Sequence, residues 1–181
     1  MKQDVLQSDR LTLRPFEAGD APDVQRLAGN WKIADTTLNV PHPYEDGMAE
    51  EWISTLKPSF ESEERTTFAV TRTADKQLVG AISLRINRAL DRAELGYWIG
   101  EPYWGCGYCT EAAKLAVRYA FEILDLNRIH ACFLERNPSS GKVLQKIGMS
   151  NEGRARQHVK KHGKFEDLIL YGMLRDEWED A

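Results

Sequence analysis

Hydrophobic and polar residues follow two different periods along the chain. Apolar residues at alternate positions, and short runs of β-branched and aromatic residues between polar turns, are typical of strands. On this basis the sequence predicts strands over Arg10–Phe16, Thr66–Thr73, Leu78–Ile86, Arg92–Gly100, Arg128–Leu134, Arg154–Val159 and Phe165–Leu174.

Apolar residues spaced three and four apart predict four helices between these strands. The helices are predicted over residues 20–29, 45–56, 110–124 and 139–147. Asp20 stands at the N-cap of the first helix, with Pro22 just inside it. Pro58 is expected to stop the second helix. Residues 31–44 are rich in aromatic residues and prolines and predict an ordered loop between these two helices.

The helix at residues 110–124 carries one narrow polar stripe, made of Glu111, Lys114, Arg118 and Glu122. A helix with so little polar surface is buried on most of its circumference, as when it lies across a sheet. Consecutive strands followed by alternating strands and helices predict an α/β protein with a mixed sheet. The 181 residues contain no long linker, so we expect a single domain over residues 1–181.

Composition narrows the classes of function. The 24 lysines and arginines against 28 aspartates and glutamates give a net charge of −4, which offers no general attraction to nucleic acid or anionic membranes. No apolar run approaches the roughly 20 residues of a membrane helix. Three cysteines, without an export signal, predict reduced thiols and a cytoplasmic protein.

A glycine-rich turn joins the strand at residues 92–100 to the long helix. Glycines at 105 and 107 let the chain turn tightly, and the helix start adds unpaired N–H donors, so the turn suits a phosphate or pyrophosphate. Thr110 stands where a dinucleotide-binding fingerprint has its third glycine, and no Walker A motif is present. By itself, the turn is better explained as an ordinary strand–helix connection.

The segment Trp104–Cys109 resembles the acyl-coenzyme A (CoA) loop of the GNAT N-acetyltransferase superfamily, with Trp104 at the first position of the motif, as is common in the RimJ/RimL-like branch. Cys109 occupies a position that is usually glycine or alanine. The resemblance continues through Ser8–Phe16, Asn137–Met149 and Tyr171–Trp178, so it spans nearly the whole chain in the expected order.

This resemblance implies a GNAT fold, in which a mixed and mostly antiparallel sheet has a splayed central strand pair and helices on both faces. It also implies an enzyme that transfers an acetyl group from acetyl-CoA to a primary amine by direct attack, without a metal. The amine is either the N-terminal α-amine of a protein, as in ribosomal-protein acetylation, or that of a small molecule. Dimers are common among such proteins, so a homodimer is an expectation.

The resemblance also assigns residues to the coenzyme. The residues expected to bind acetyl-CoA are Tyr97, Trp98, Ile99, Trp104, Gly105, Cys106, Gly107, Tyr108, Cys109, Thr110, Asn137 and Ser140. A backbone N–H near Trp98 or Ile99 would hold the oxyanion that develops on the acetyl carbonyl. Thr110 and Asn137 have an alternative role as helix caps. Lys142 and Lys146 are candidates for the 3′-phosphate, or else solvated surface lysines.

Proton transfer requires a base, and Glu94 is the candidate. Alternation places it on the same strand face as Gly96 and Trp98, and in GNAT enzymes a glutamate at this position acts as base. The alternative is a solvated carboxylate paired with Arg92 or Arg85. The tyrosine that often protonates the leaving thiolate is replaced by Leu144, so Ser140 is expected to serve, with water as the alternative donor.

The resemblance further suggests that Trp31, Tyr44 and Trp52 line the acceptor pocket, although core packing explains them equally well. Two competing functions stay open. One is a non-catalytic acyl-CoA-binding module. The other is a zinc site built from Cys106, Cys109, His130 and Cys132. Cys109, at a helix N-terminus, is also expected to have a lowered pKa and to react readily.

Overall fold

The computed structural model describes residues 2–178, and its eight strands form one sheet. Their bounds are β1 (Leu6–Gln7), β2 (Leu11–Arg14), β3 (Arg65–Arg72), β4 (Leu78–Asn87), β5 (Arg92–Ile99), β6 (Arg128–Leu134), β7 (Ser150–Lys161) and β8 (Lys164–Leu174). The spatial order is β1-β2-β3-β4-β5-β6-β8-β7. Every neighbouring pair is antiparallel except β5 and β6.

Within residues 2–178 the chain forms five α-helices. They are α1 (Ala21–Ala28), α2 (Trp31–Thr36), α3 (Met48–Glu61), α4 (Tyr108–Glu122) and α5 (Pro138–Lys146). The apolar sides of α4 and α5 share one core with the sheet, while α1 and α3 enclose a smaller core on the other face. The expected α/β class, with a mostly antiparallel sheet and helices on both faces, is confirmed.

The pairing of β5 with β6 is short. Only Arg92–Glu94 on β5 aligns with Arg128–His130 on β6, although both strands continue beyond that point. From Leu95 onward β5 stays paired with β4 alone. The sheet therefore opens between its two central parallel strands, which confirms the predicted splayed pair.

The prediction that Pro58 stops the second helix is wrong. Helix α3 begins at Met48, not at Glu45, and continues through Pro58 to Glu61. Proline removes the hydrogen bond to the carbonyl of Ser54. Both residues are exposed, so water can bond to that carbonyl and the helix tolerates the loss.

Part of the predicted loop at residues 31–44 is also helical, since α2 occupies Trp31–Thr36. The side chain of Asn30 accepts a hydrogen bond from the Lys32 amide at 2.9 Å and caps α2. The chain thus passes from the end of α1 to the N-cap of α2 within two residues. The strand predicted over Arg154–Val159 is longer than expected, because β7 runs along β8 over Ser150–Lys161.

Candidate active site

A cleft of about 740 Å³ lies where β5 and β6 separate. It collects most of the residues that the sequence suggested. The predicted residues that line it are Tyr44, Trp52, Glu94, Tyr97, Trp98, Ile99, Trp104, Gly105, Gly107, Tyr108, Cys109, Thr110, Asn137 and Ser140. Trp31 and Cys106 do not line it. Lys142 and Lys146 line the cleft from α5.

The glycine loop has the geometry of an anion site. Gly105 and Gly107 adopt left-handed φ angles of +76° and +80°, which other residues rarely adopt. Gly107 is the N-cap of α4, so the amides of Tyr108, Cys109 and Thr110 in the first turn have no acceptor four residues earlier. These donors and the positive end of the helix dipole suit a diphosphate. The suggested capping role of Thr110 is wrong, because α4 begins two residues before it.

An ion-pair network outside the cleft holds this loop in place. The Arg10 guanidinium donates to the Cys106 carbonyl at 3.1 Å and pairs with Glu111 in α4. Ser8 donates to the same carboxylate at 2.6 Å. Burial would raise the pKa of Glu111, but hydrogen bonds from Ser8 and Arg10 hold that pKa below its usual range. Sequence reasoning missed this network, although Ser8 and Arg10 lie in the opening segment that carries the resemblance.

The main chain of β5 presents free groups to the gap. Two hydrogen bonds, one just beyond each end of β5, show which way its main-chain groups point. Just before β5, the Asp91 carbonyl accepts from the Arg128 amide of β6 at 3.1 Å, so the main chain of residue 91 points toward β6. Just after β5, the Gly100 amide donates to the Val79 carbonyl of β4 at 2.8 Å, so the main chain of residue 100 points toward β4. Since main-chain groups alternate along a strand, the odd-numbered residues turn theirs toward β6. The amides of Tyr97 and Ile99 therefore face the gap, and Trp104 Nε1 donates to the Ile99 carbonyl at 2.6 Å.

Glu94 lies at the point where the gap begins. Its carboxylate pairs with Arg85 of β4, accepts a weak hydrogen bond from the Cys132 thiol at 3.8 Å, and is 25% exposed. Burial, with the neighbouring carboxylate, raises the pKa of Cys132 to about 11. Glu94 is thus both ion-paired, as one interpretation held, and open to the cleft, as the base hypothesis requires.

His130 stands beside Glu94 in the parallel register, and its Nδ1 is buried with no hydrogen-bond partner within residues 2–178. Burial lowers the pKa of His130, against the opposing effect of the carboxylate, so the ring is neutral at pH 7. Among these described residues, no three His, Cys, Asp or Glu side chains are grouped so that they could hold a metal ion.

The hydroxyl of Tyr97 connects β5 to the start of α5. It lies 2.8 Å from Ser140 Oγ, and either hydroxyl can donate. Burial raises the pKa of Tyr97, so its proton stays on the phenol at neutral pH. When Tyr97 donates to Ser140 Oγ, the serine proton is free to point into the cleft. The partnership joins residues 43 positions apart, and no local sequence pattern predicts it.

The expected reactivity of Cys109 is wrong. Cys109 lies in the first turn of α4, and its thiol packs against the core. Burial raises the pKa of this thiol to about 12 instead of lowering it. The desolvation cost of a thiolate there exceeds the stabilisation that a helix N-terminus offers. The exposed thiol of the loop is that of Cys106.

The far end of the cleft is formed by aromatic residues and by the segment after α2. Tyr44 and Trp52 line it, and Trp52 packs edge-on against Phe16 with ring centroids 5.0 Å apart. Trp31, which is 47% exposed, packs instead against His42 and His162, at 5.0 and 4.6 Å. The structure therefore brings two of the three proposed acceptor residues to the cleft.

Asn137 and Arg136 tie the start of α5 to the end of α2. The Asn137 side chain donates to the Thr36 carbonyl at 3.3 Å and makes no cap bond to its own helix. Arg136 pairs with Asp35 at 2.8 Å and with Glu166 of β8 at 2.6 Å. These contacts fix the wall of the cleft between its two ends. Within residues 2–178, no helix is both long and apolar enough to span a membrane.

Comparisons with known proteins agree with this geometry. Residues 10–150 match the family described as the acetyltransferase (GNAT) domain. The chain is 40% identical over 180 residues to a Bacillus subtilis (strain 168) protein named "Putative ribosomal N-acetyltransferase YdaF", with 95% of each sequence covered. It is 25% identical over 172 residues to the spermidine N(1)-acetyltransferase of Vibrio cholerae serotype O1, covering 94% of this chain and 96% of that protein.

The fold is similar to that of solved structures. Mycobacterium smegmatis RimJ, solved in complex with CoA-disulfide, superposes with a TM-score of 0.87 at 21% identity, covering 98% of this chain and 90% of that one. At this level of identity the similarity concerns the fold alone.

Proposed function

The chain belongs to the GNAT family and is an acetyl-CoA-dependent N-acetyltransferase, and we propose that its acceptor is the α-amine at the N-terminus of a protein. The relative named as a ribosomal N-acetyltransferase supports a protein acceptor. The cleft also supports it, because it continues past Glu94 to Tyr44, Trp52 and the segment after α2, where an acceptor can lie beyond the coenzyme.

One observation carries the proposal: the gap between β5 and β6 joins the anion-binding loop to a carboxylate within one cleft. Glu94 and Trp98 turn their side chains to the sheet face covered by α1 and α3, whereas Tyr97 packs with the core beneath α4. An acceptor can thus approach Glu94 from one face while the acyl donor is bound from the other.

The residues of this chain fit acetyl-CoA. We assign the diphosphate to the amides at residues 105–110, because Gly105 and Gly107 leave the loop without side-chain bulk at its left-handed positions. Lys142 and Lys146 are placed to meet a further phosphate from α5. Asn137 and the free main-chain groups of β5 would hold the pantetheine arm. Acetyl-CoA supplies the activated acetyl group.

The Ile99 amide is the donor that we assign to the acetyl carbonyl. Of the two residues suggested by the resemblance, Trp98 turns its main chain toward β4 and Ile99 turns its amide into the gap. A preorganised amide aimed at the developing oxyanion stabilises the transition state more than the ground state.

Glu94 accepts the proton that the amine must lose. An α-amine has an ordinary pKa of about 8, so most of it is protonated at pH 7 and cannot attack a thioester. Glu94 is open to the cleft and takes that proton directly or through one water molecule. Ser140, oriented by Tyr97, passes a proton to the departing thiolate and takes its replacement from solvent water in the same step.

Three further expectations stay predictions: a cytoplasmic location, a single domain over residues 1–181 and a homodimer. The three cysteines are free in the structure, which suits a reducing compartment.

An acceptor panel tests the proposed function. Purified protein and acetyl-CoA are incubated with N-terminal peptides, spermidine, free amino acids and aminoglycosides, and acetylated products are identified by mass spectrometry. We expect acetylation of peptides at the α-amine, and none of internal lysines. Saturable binding of acetyl-CoA without transfer to any amine would contradict the proposal and favour the non-catalytic binding module.

A further inference from the structure

The cleft carries an excess of positive charge near the proposed base. Glu94 is the only carboxylate among the described residues that line it. The cationic residues that line it are Arg65, Arg85, Arg136, Lys142 and Lys146. The two lysines lie on the coenzyme side, and Arg136 is already paired with two carboxylates. Arg65 and Arg85 are the two remaining cations in the lining, and neither the coenzyme nor the carboxylates bound to Arg136 account for their position there.

These two arginines and Glu94 form a row across three strands. Arg65 of β3 lies opposite Arg85 of β4, which in turn lies opposite Glu94 of β5. Residues directly opposite in antiparallel strands point to the same face of a sheet, so the three side chains stand side by side. Because β4 lies between their strands, the main chains at Arg65 and Glu94 are two strand spacings apart, which is roughly 10 Å.

Charge in this row is not balanced. Glu94 pairs with Arg85, whereas Arg65 has no carboxylate partner within residues 2–178. Like charges directly opposite on neighbouring strands are destabilising. The row therefore holds two arginines against one carboxylate at the edge of the active-site cleft, and Arg65 is the member whose charge no carboxylate of the described chain balances.

From this charge pattern we propose that the acceptor carries an anionic group, a carboxylate or phosphate, that binds to Arg65 and Arg85 while its amine lies beside Glu94. Guanidinium groups bind such anions through paired, charge-assisted hydrogen bonds. In a peptide, the side chain of an acidic second residue is at a suitable distance from the α-amine. A polyamine such as spermidine would instead place a second cation against two arginines. The inference rests on the proposed function, since it names the acceptor of the same reaction.

The test compares acceptors that differ only in charge. Amidated tetrapeptides Ala-Asp-Ala-Ala, Ala-Asn-Ala-Ala and Ala-Lys-Ala-Ala are assayed for kcat/KM, together with phosphoethanolamine against ethanolamine as the small-molecule pair. We expect the aspartate peptide to exceed the asparagine peptide by roughly tenfold, as for one charge-assisted hydrogen bond, and the lysine peptide to be the poorest. If phosphoethanolamine is preferred over ethanolamine while the peptides show no preference for aspartate, the anionic acceptor is a small molecule and not a peptide.

Substitutions of Arg65 assign the preference to this residue. Arg65→Gln should abolish the difference between aspartate and asparagine peptides, and Arg65→Glu should invert it in favour of lysine. Lys114→Glu, an equal change in net charge on the exposed side of α4, should leave the preference intact. The affinity for acetyl-CoA, measured on every variant, reports whether the protein is folded.

The outcomes separate the two proposals. Equal kcat/KM for the anionic, neutral and cationic acceptors in the unmodified protein would overturn the inference and leave the acetyltransferase assignment standing. Retention of the preference in Arg65→Gln would overturn the role of Arg65. If no amine in the series were acetylated, the proposed acceptor class would fail, and this inference would fail with it.

Discussion

Glu94 lies among three groups that could each affect proton transfer. Arg85 pairs with its carboxylate, Cys132 donates to it, and His130 stands beside it on β6. The raised pKa of Cys132 and the lowered pKa of His130 leave both groups neutral at pH 7. A neutral imidazole can also accept a proton, but His130 does not line the cleft, and the Cys132 thiol that does line it already carries its proton. Glu94 is therefore the group in this cluster placed to receive a proton from a bound amine.

Replacing Glu94 with glutamine should slow the reaction. We expect kcat at pH 7 to fall about 10²-fold, the lower part of the range for a general base. The difference in kcat between Glu94→Gln and the unmodified protein should become smaller above pH 8, because there the free α-amine loses its proton without assistance. Ser140→Ala should show no such recovery, because it acts on the leaving thiolate. Steady-state rates from pH 6 to 9 measure both effects.

Glu63→Gln is the matched control for that experiment, since Glu63 is a surface carboxylate paired with Arg88 outside the cleft. Its rate, and the acetyl-CoA affinity of both Glu63→Gln and Glu94→Gln, should equal those of the unmodified protein. An unchanged rate in Glu94→Gln at pH 7 would remove Glu94 from the mechanism.

Individual residues were predictable from the sequence only where a local motif contained them. The glycines at 105 and 107 and Glu94 belong to such motifs. The row formed by Arg65, Arg85 and Glu94 depends on the register of three strands, which a single sequence does not specify. The pKa of Cys109 was wrongly predicted because burial, which depends on tertiary packing, outweighs the local effect of a helix end.

At the scale of elements, the strands β4 and β5 determine where the cleft opens. They remain paired along the whole length of β5, so the gap forms only on the β6 side. Gly80 permits this close pairing, because a Cβ at that position would lie 2.2 Å from the Trp98 carbonyl oxygen. The position of Trp98 and Ile99 thus depends on a glycine in the neighbouring strand.

Gly80→Ala should destabilise the protein by about 1–3 kcal/mol, since the strands must move apart to admit the methyl group. Urea unfolding measures the change. Gly96→Ala is a suitable comparison within β5, because its Cβ would meet only the Ser83 hydroxyl at 3.4 Å. We expect a change within about 0.5 kcal/mol there. Equal stability of Gly80→Ala and the unmodified protein would contradict the close approach of these strands.

Most elements followed from hydrophobic periodicity, and the exceptions have local causes. Alternation located β3, β4, β5, β6 and β8 within a few residues of their observed bounds. Helix α2 was missed because Asn30 ends one helix and caps the next. Helix α3 was predicted too short because Pro58 acts as a helix breaker only where the lost hydrogen bond cannot be replaced by water.

At the scale of the whole molecule, the sheet divides the reaction between its two faces. Helices α4 and α5 form the face that presents the glycine loop and Ser140, and α1 and α3 cover the face that presents Glu94 and Trp98. The resemblance carried by the motifs implied a sheet with helices on both faces and a splayed central strand pair. The charge of the acceptor end was not predictable, because the overall charge of −4 does not show that the charged residues lining the cleft are five cations and one carboxylate.

The central claim is that the amides around Gly107 bind the diphosphate of acetyl-CoA, and isothermal titration calorimetry tests it most directly. The unmodified protein should bind acetyl-CoA saturably, and Gly107→Leu should bind at least roughly tenfold more weakly, since a side chain would displace charge-assisted hydrogen bonds. Gly163→Leu imposes a similar left-handed strain, at φ +81° in the β7–β8 turn, and should leave the affinity unchanged. Absence of saturable heat with the unmodified protein, or equal affinity in Gly107→Leu, would contradict the account.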